Sequence, residues 1–306
     1  MKRGFKGMPH NARVVRQSPK GYNFEMKLGH FEIHPITDGV LYLDGGAMFG
    51  IVPKVLWEKH HPADEKNRIR LELGVLLIKA HGRHILVDTG IGNKCGEKFI
   101  EMYGIERRPS IETCLLKYGL TAGEIDLVIN THFHFDHAGG NTRRDEKGRI
   151  LPTFSKAAYF IQKGEWAAAM SPSERTQGSY LLENYEVLGG RPCLNLLDGD
   201  SKILKGVSVI RTPGHTAHHQ AVFLESGGEK AVFLGDLIPT VSHIPLPYIM
   251  GYDLFPLTTL ETKRRLLEQA YEEHWLLIFQ HDPKIRMGYL RWMKDRFILE
   301  EVRADD

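Results

Sequence analysis

An α/β sandwich is the fold this sequence predicts: two sheets packed face to face, helices outside them, and a site along one shared edge. Three observations carry it. The motif Thr131-His132-Phe133-His134-Phe135-Asp136-His137-Ala138-Gly139-Gly140 follows directly on Ile125 to Asn130, a short apolar run rich in β-branched residues. Such a run reads as a buried strand of an α/β sheet, and ligands of these sheets bind beyond the strand carboxyl ends. A glycine turn, an apolar strand and an aspartate recur, from His81-Gly82 to Asp88 and from Gly227-Gly228 to Asp236, which suggests two similar halves. His215, Asp236 and His281 each close a further short apolar run, and strand ends along one sheet edge converge in space.

Taken in order, residues 1–23 are polar, basic and punctuated by Gly and Pro, which predicts a flexible or surface-wrapping arm ahead of a single domain over 24–306. Phe31 to Thr37 and Val40 to Leu43 read as strands joined by an Asp38-Gly39 hairpin turn. The glycine-flanked segment Gly45 to Trp57 carries Met48, Phe49 and Trp57, large apolar side chains that either plug the core or meet a substrate chain or a second subunit. Gly74 to Ala80 and His84 to Val87 are strands around His81-Gly82, and Asp88 beyond them is either a turn former or a group that orients a ligating histidine. Ile111, Leu115, Leu116 and Tyr118 have helical spacing, ended by Gly119.

After the motif, Thr142 to Arg149 reads as a charged surface loop. Tyr159 to Met170 and Tyr180 to Leu188 read as helices separated by Ser171-Pro172-Ser173, so a lid or insertion is expected around 160–190. Val207 to Arg211 is a strand, and Ala221 to Leu224 with Ala231 to Leu234 form a hairpin. Pro239 to Pro256 is rich in proline and aromatic residues, an ordered loop. Thr258-Thr259-Leu260-Glu261 looks like a capping box opening an amphipathic helix, and Leu276 to Phe279 reads as the final buried strand, followed by a short basic helix.

Composition narrows the class. With 306 residues, 42% hydrophobic and 25% charged, the chain can bury a large core. A net charge of +2 with scattered Lys and Arg leaves no footprint for nucleic acid. The basic amino-terminal residues have no apolar run behind them, so no signal peptide is expected, and no stretch is long and apolar enough to predict a membrane span. Cys95, Cys114 and Cys193 are odd in number and unclustered, which argues for a reducing cytoplasm and against a disulfide framework or zinc ribbon.

The motif itself points to metal chemistry. His132 and His134, two apart on an extended chain, face the same side and can grip one ion, whereas His137 is out of phase and faces elsewhere. Alternation alone leaves Asp136 unassigned, although the small residues after it suggest a bend. Three histidines at these offsets arise by chance at roughly one start in ten thousand, which disfavours a merely solvated histidine-rich loop.

Together, His132-x-His134-x-Asp136-His137, His215 within Pro-Gly-His-Thr, Asp236 after a Leu-Gly pair and His281 after the last apolar strand resemble the metallo-β-lactamase superfamily, over roughly Phe31 to Met287. The resemblance implies a four-layer αββα sandwich with two divalent ions about 3.5–4 Å apart. It implies His132, His134 and His215 on the first ion, Asp136, His137 and His281 on the second, Asp236 bridging both, and Asp88 and His219 hydrogen-bonding the ligands. Zinc is the expected metal, though iron, cobalt and manganese suit the same donors.

Within the superfamily, this ligand set, the lack of an appended domain and the segment Gly45-Gly46-Ala47-Met48-Phe49-Gly50 are most similar to the N-acyl-homoserine-lactone lactonases of bacilli. That resemblance implies a homodimeric quorum-quenching hydrolase in which hydroxide shared by two ions opens a lactone, and Asp136 shuttles the proton. Met48, Phe49 and Trp57 would wall the acyl chain. Lactonases of the best-known branch carry a tyrosine three residues after the bridging aspartate; Pro239 stands there, and Tyr248, Tyr252 and His243 are the candidates to take its part. A phosphotriesterase or aryl-esterase similar to methyl parathion hydrolase would use the same metals. A glyoxalase II-like thioesterase would want a basic carboxyl-terminal helical domain, of which only Lys284, Arg286, Arg291, Lys294 and Arg296 remain.

Overall fold

In the computed structural model, which describes residues 26–302, two seven-stranded sheets face each other. The arm expected over 1–23 lies outside the described residues. The first sheet takes β1 (Met26–Leu28), β2 (Phe31–Asp44), β3 (Arg68–Ala80), β4 (Arg83–Val87) and β5 (Leu127–Ile129), then, past the small hairpin of β6 (Thr142–Arg144) and β7 (Ile150–Pro152), β8 (Ala158–Gln162) and β9 (Leu194–Leu197). β1 to β4 form an antiparallel meander, and β5, β8 and β9 add in parallel. The second sheet runs in sequence order through β10 (Ser201–Leu204), β11 (Val207–Arg211), β12 (Gln220–Ser226), β13 (Glu229–Phe233), β14 (Leu276–Ile278), β15 (Met287–Met293) and β16 (Arg296–Glu301).

Helices cover the outer faces. In chain order they are α1 (Gly45–Phe49), α2 (Lys54–Trp57), α3 (Glu97–Tyr103), α4 (Ile111–Lys117), α5 (Phe135–Ala138), α6 (Lys163–Met170) and α7 (Pro256–Glu272). The period-2 alternation of the strands sorts their side chains between layers. Leu76, Ile78, Ile85 and Val87 face the second sheet's Val209, Val222, Phe233 and Ile278, whereas Leu77 and Leu86 point outward onto Leu115 of α4 and Ala169 beyond it. On the other side Val232 and Leu277 pack against Leu266, Leu267 and Ala270 of α7. The chain is therefore layered helix, sheet, sheet, helix, and because both faces of the central strands are buried they read as continuous apolar runs.

Several local expectations are corrected. Asp38-Gly39 makes no hairpin: β2 runs unbroken from Phe31 to Asp44 along β3, with a register shift between Thr37 and Val40. The irregularity is a bulge that turns the Asp38 carboxylate inward, where it accepts from the backbone N–H of Ile91, Gly92 and Ile111 and from Arg107. Residues 158–162 are strand, not helix, because the β-forming Tyr159, Phe160 and Ile161 pair in parallel beside β5, and α6 begins only at Lys163. Tyr180 to Leu188 forms two short 3-10 turns. The long helix starts at Pro256, with proline at its first position and no side-chain cap, so the Thr258 capping box is not used. Leu276–Ile278 is not the last strand: a hairpin of β15 and β16 follows where a short helix was expected.

Candidate metal centre

Strand β5 ends at Ile129, and the chain then crosses the shared sheet edge as Asn130-Thr131-His132-Phe133-His134 before α5 turns it away. That turn resolves the phase of the motif. His132 and His134 lie on extended backbone, while Asp136 and His137 sit in the first turn of α5 and point to the other side of the cluster. Gly139 and Gly140 let this turn lie against the 89–91 segment: a Cβ at either would come 2.1 Å from the Ile91 carbonyl oxygen or 2.2 Å from that of Thr89.

The loops after β11, β13 and β14 deliver His215, Asp236 and His281 to the same place. Three groups of potential ligand atoms gather: His132, His134 and His215; His132, His137 and Asp236; and Asp136, His137 and His281. Asp236 links them. Its Oδ2 lies 3.2 Å from His215 Nε2 and 4.0 Å from His132 Nε2, while its Oδ1 lies 3.0 Å from His281 Nε2 and 3.4 Å from His137 Nε2. Asp136 Oδ2 stands 3.7 Å from both His137 Nε2 and His281 Nε2.

The outer hydrogen bonds fix which imidazole nitrogen faces inward. His281 Nδ1 donates to the Glu72 carbonyl at 2.7 Å, His137 Nδ1 to Asp88 Oδ2 at 3.0 Å, and His215 Nδ1 to Asp253 Oδ1 at 2.9 Å. Thr131 Oγ1 donates to Asp88 Oδ2 and so is left to accept from His132 Nδ1 at 3.0 Å. Each of these rings thus turns its Nε2 toward the centre. Ring nitrogens face one another closely, His134 Nδ1 and His215 Nε2 at 3.0 Å and His137 Nε2 and His281 Nε2 at 3.3 Å. His132 Nε2 and Asp236 Oδ1 are buried with no hydrogen-bond partner. Lone pairs so arranged repel unless a proton or a cation sits among them, and imidazole with carboxylate is a donor set suited to divalent transition metals.

The electrostatics agree. Burial, reinforced by the neighbouring imidazoles, holds His132 and His134 well below the ordinary histidine range. Burial pulls His137 and His215 the same way, but Asp236, with Asp136 for the one and Asp253 for the other, outweighs it and raises both. Burial of Asp236 is outweighed in turn by His137, His215 and His281, which hold its carboxyl well below the usual range. His219, pushed down by burial to about 3, is neutral; it accepts from the Asp236 backbone N–H at 3.1 Å and lies 2.7 Å from Thr212 Oγ1.

A cavity of about 410 Å³ opens over the cluster. Met48 and Tyr252, two of the substrate-contact candidates, line it together with Leu43, Leu71, Met250 and Leu254. The structure puts Phe49, Trp57 and His243 elsewhere, in a stacked core behind that wall, with Phe49 sandwiched 5.3 Å from Trp57 and 4.6 Å from His243, and Tyr248 edge-on to it at 6.3 Å. Burying three flat rings against each other removes them from any contact with a ligand. The segment from Arg175 to Ser179, inside the expected insertion, supplies the opposite wall. Sequence reasoning missed Asp253, which bonds His215, Glu165, which accepts the Phe133 N–H between two of the histidines, and Tyr103 on the cavity wall. None closes an apolar strand, so nothing local marked them.

The family model described as Metallo-beta-lactamase superfamily matches residues 75–281. An N-acyl homoserine lactonase of Bacillus thuringiensis is 26% identical over 228 residues, covering 70% of this chain and 82% of its own. A probable metal-dependent hydrolase from Staphylococcus aureus superposes with a TM-score of 0.81 at 32% identity, covering 91% of this chain and 100% of its own. AidC, described as a dizinc quorum-quenching lactonase in complex with a product, superposes with a TM-score of 0.77 at 21% identity, covering 92% of this chain and 98% of its own, and so speaks to the fold alone.

Proposed function

This chain belongs to the metallo-β-lactamase superfamily, and on that premise we propose that it is a dinuclear metal-dependent hydrolase that opens lactone rings, with N-acyl-homoserine lactones as its substrate class. The relatedness to lactonases supports the substrate class. The observation that carries the dinuclear reading is the division of Asp236, one oxygen toward His132 and His215 and the other toward His137 and His281. On this reading His132, His134 and His215 hold one divalent ion, Asp136, His137 and His281 the other, and Asp236 both. Two such ions, zinc or another divalent metal, supply Lewis acidity that polarises a carbonyl and brings the pKa of water from 15.7 toward 7.

The protein's own side chains do the rest. Leu43, Met48, Leu71, Met250 and Leu254 offer an apolar surface for an acyl chain, and a cavity of about 410 Å³ is ample for a small ligand. Tyr252 reaches the cavity, and burial, helped by nearby Asp44, Tyr103 and Asp136, raises its phenol well above the ordinary range, so it stays a hydrogen-bond donor that could hold the lactone carbonyl. It would take the part of the lactonase tyrosine, since Pro239 instead accepts the backbone N–H of His281 at 3.0 Å. In ring opening one water adds: its oxygen joins the acyl carbon, the ring C–O bond breaks, and Asp136, on the cavity wall, would pass one of the water's protons to the departing alkoxide, which becomes the free hydroxyl, while the other proton stays with the new carboxyl group or leaves to solvent.

Asp236→Ala tests this. The variant is expected to fold, by circular dichroism, while its lactone turnover falls by at least about 10³-fold; retained turnover contradicts the assignment. A panel including phosphotriesters, aryl esters and thioesters separates the lactonase reading from a methyl parathion hydrolase-like or glyoxalase II-like one.

A further inference from the structure

Glu165 lies in α6, outside every ligand group, and is completely buried. We propose that it is the positioning residue for the cation held by His132, His134 and His215, an inference that rests on the dinuclear reading above. Its donors all belong to that group's surroundings. Oε1 accepts the backbone N–H of Phe133, the residue between His132 and His134, at 3.2 Å, and Oε2 accepts the hydroxyl of Thr216, the residue after His215, at 2.7 Å. Oε1 also accepts the Tyr180 hydroxyl at 2.7 Å, and the Tyr180 ring stands edge-on to His134 at 4.9 Å.

One carboxylate therefore clamps both chain segments that deliver this group, one following a strand of each sheet. A simple fastening of α6 needs no such group, because Trp166 and Ala169 already pack that helix against the first sheet. The three donors that reach Glu165, a backbone N–H and two hydroxyls, are all neutral. A carboxylate buried among neutral donors is costly unless positive charge lies near. A cation beyond His134 and His215 provides that charge, and in return the clamp holds the two segments that carry these imidazoles in ligating position. The Asp136, His137 and His281 group receives no hydrogen bond from Glu165, so the effect should fall on one ion.

Glu165→Gln keeps the shape while removing the charge and one acceptor oxygen. Cobalt(II) titration of the metal-free full chain, followed by visible absorption and chelator competition, reads each site separately. The wild type should bind two ions. The variant should lose about 10-fold or more in affinity at one site and keep the other, with the melting temperature of the metal-free protein little changed. Combining Glu165→Gln with Asp136→Ala, which weakens the other group, should weaken both. Thr216→Val should reproduce the single-site loss in milder form. Equal affinities at both sites in wild type and variant would overturn the proposal, as would a parallel fall at both sites with a lowered melting temperature. A wild type that binds two cobalt ions yet hydrolyses no lactone removes the substrate assignment and leaves Glu165 in its role.

Discussion

His137 and His215 hold protons more tightly than free imidazole because Asp236, with Asp136 or Asp253, overcomes the effect of burial. His132 and His134 are pushed the opposite way and are already neutral near pH 7. A divalent ion needs unprotonated nitrogen, so its uptake must expel the protons that His137 and His215 retain. The sign follows: a raised pKa means the proton is present below it, so cation affinity rises with pH and levels off once pH exceeds both raised values. Adding zinc to the metal-free protein in weak buffer near pH 7 should acidify the solution, read by an indicator dye; a titration with no proton release there contradicts this picture. At this scale the sequence carried much. Metal-ligating types at strand ends are visible as letters, and the structure brings all seven such residues into one cluster. Asp253, which bonds His215, and Glu165, which bonds the residues beside His134 and His215, were invisible because such a carboxylate need share no sequence spacing with the histidines.

At the level of elements, two irregularities shape the site. The first is α5, whose single turn after His134 sends Asp136 and His137 to the far side of the cluster. Strand alternation could not assign Asp136, since the bend depends on α5 packing onto the 89–91 segment. The second is the bulge in β2. A hairpin was expected because Asp-Gly is a strong turn signal, yet both flanking runs find the same partner, β3, and tertiary pairing overrides the local preference. The bulge makes Asp38 a buried anchor for the turn after β4 and the start of α4, with Arg107 Nη2 2.7 Å away. Asp38→Ala leaves three backbone N–H groups without their acceptor and a half-buried guanidinium with Glu112 alone. It should lower unfolding stability by about 3 kcal/mol in a denaturant titration; a loss near zero would show that the anchor is dispensable.

Across the whole molecule, two sheets with helices outside were legible because repeated apolar strands punctuated by glycine turns have few other ways to bury both faces. The carboxyl-terminal hairpin was not, since β15 and β16 carry exposed, partly charged faces that resemble a basic helix in composition alone. Beside the cavity wall, Ile51 in the α1 to α2 connection is 89% exposed and Val55 of α2 70%. Apolar side chains so exposed suit a second copy of the chain. Sedimentation equilibrium tests the homodimer that the resemblance implies: a dimer that Ile51→Asp with Val55→Asp turns into a folded monomer is the expected result, whereas a wild-type monomer at all concentrations contradicts it.

The proposed function rests on Asp236 dividing its two oxygens between facing sets of imidazoles. Anomalous diffraction at the zinc edge from zinc-loaded crystals tests that most directly. Two peaks are predicted, one ligated by His132, His134 and His215, the other by Asp136, His137 and His281, each touching a different oxygen of Asp236. A single peak, or two that leave Asp236 bound to neither, would contradict the account.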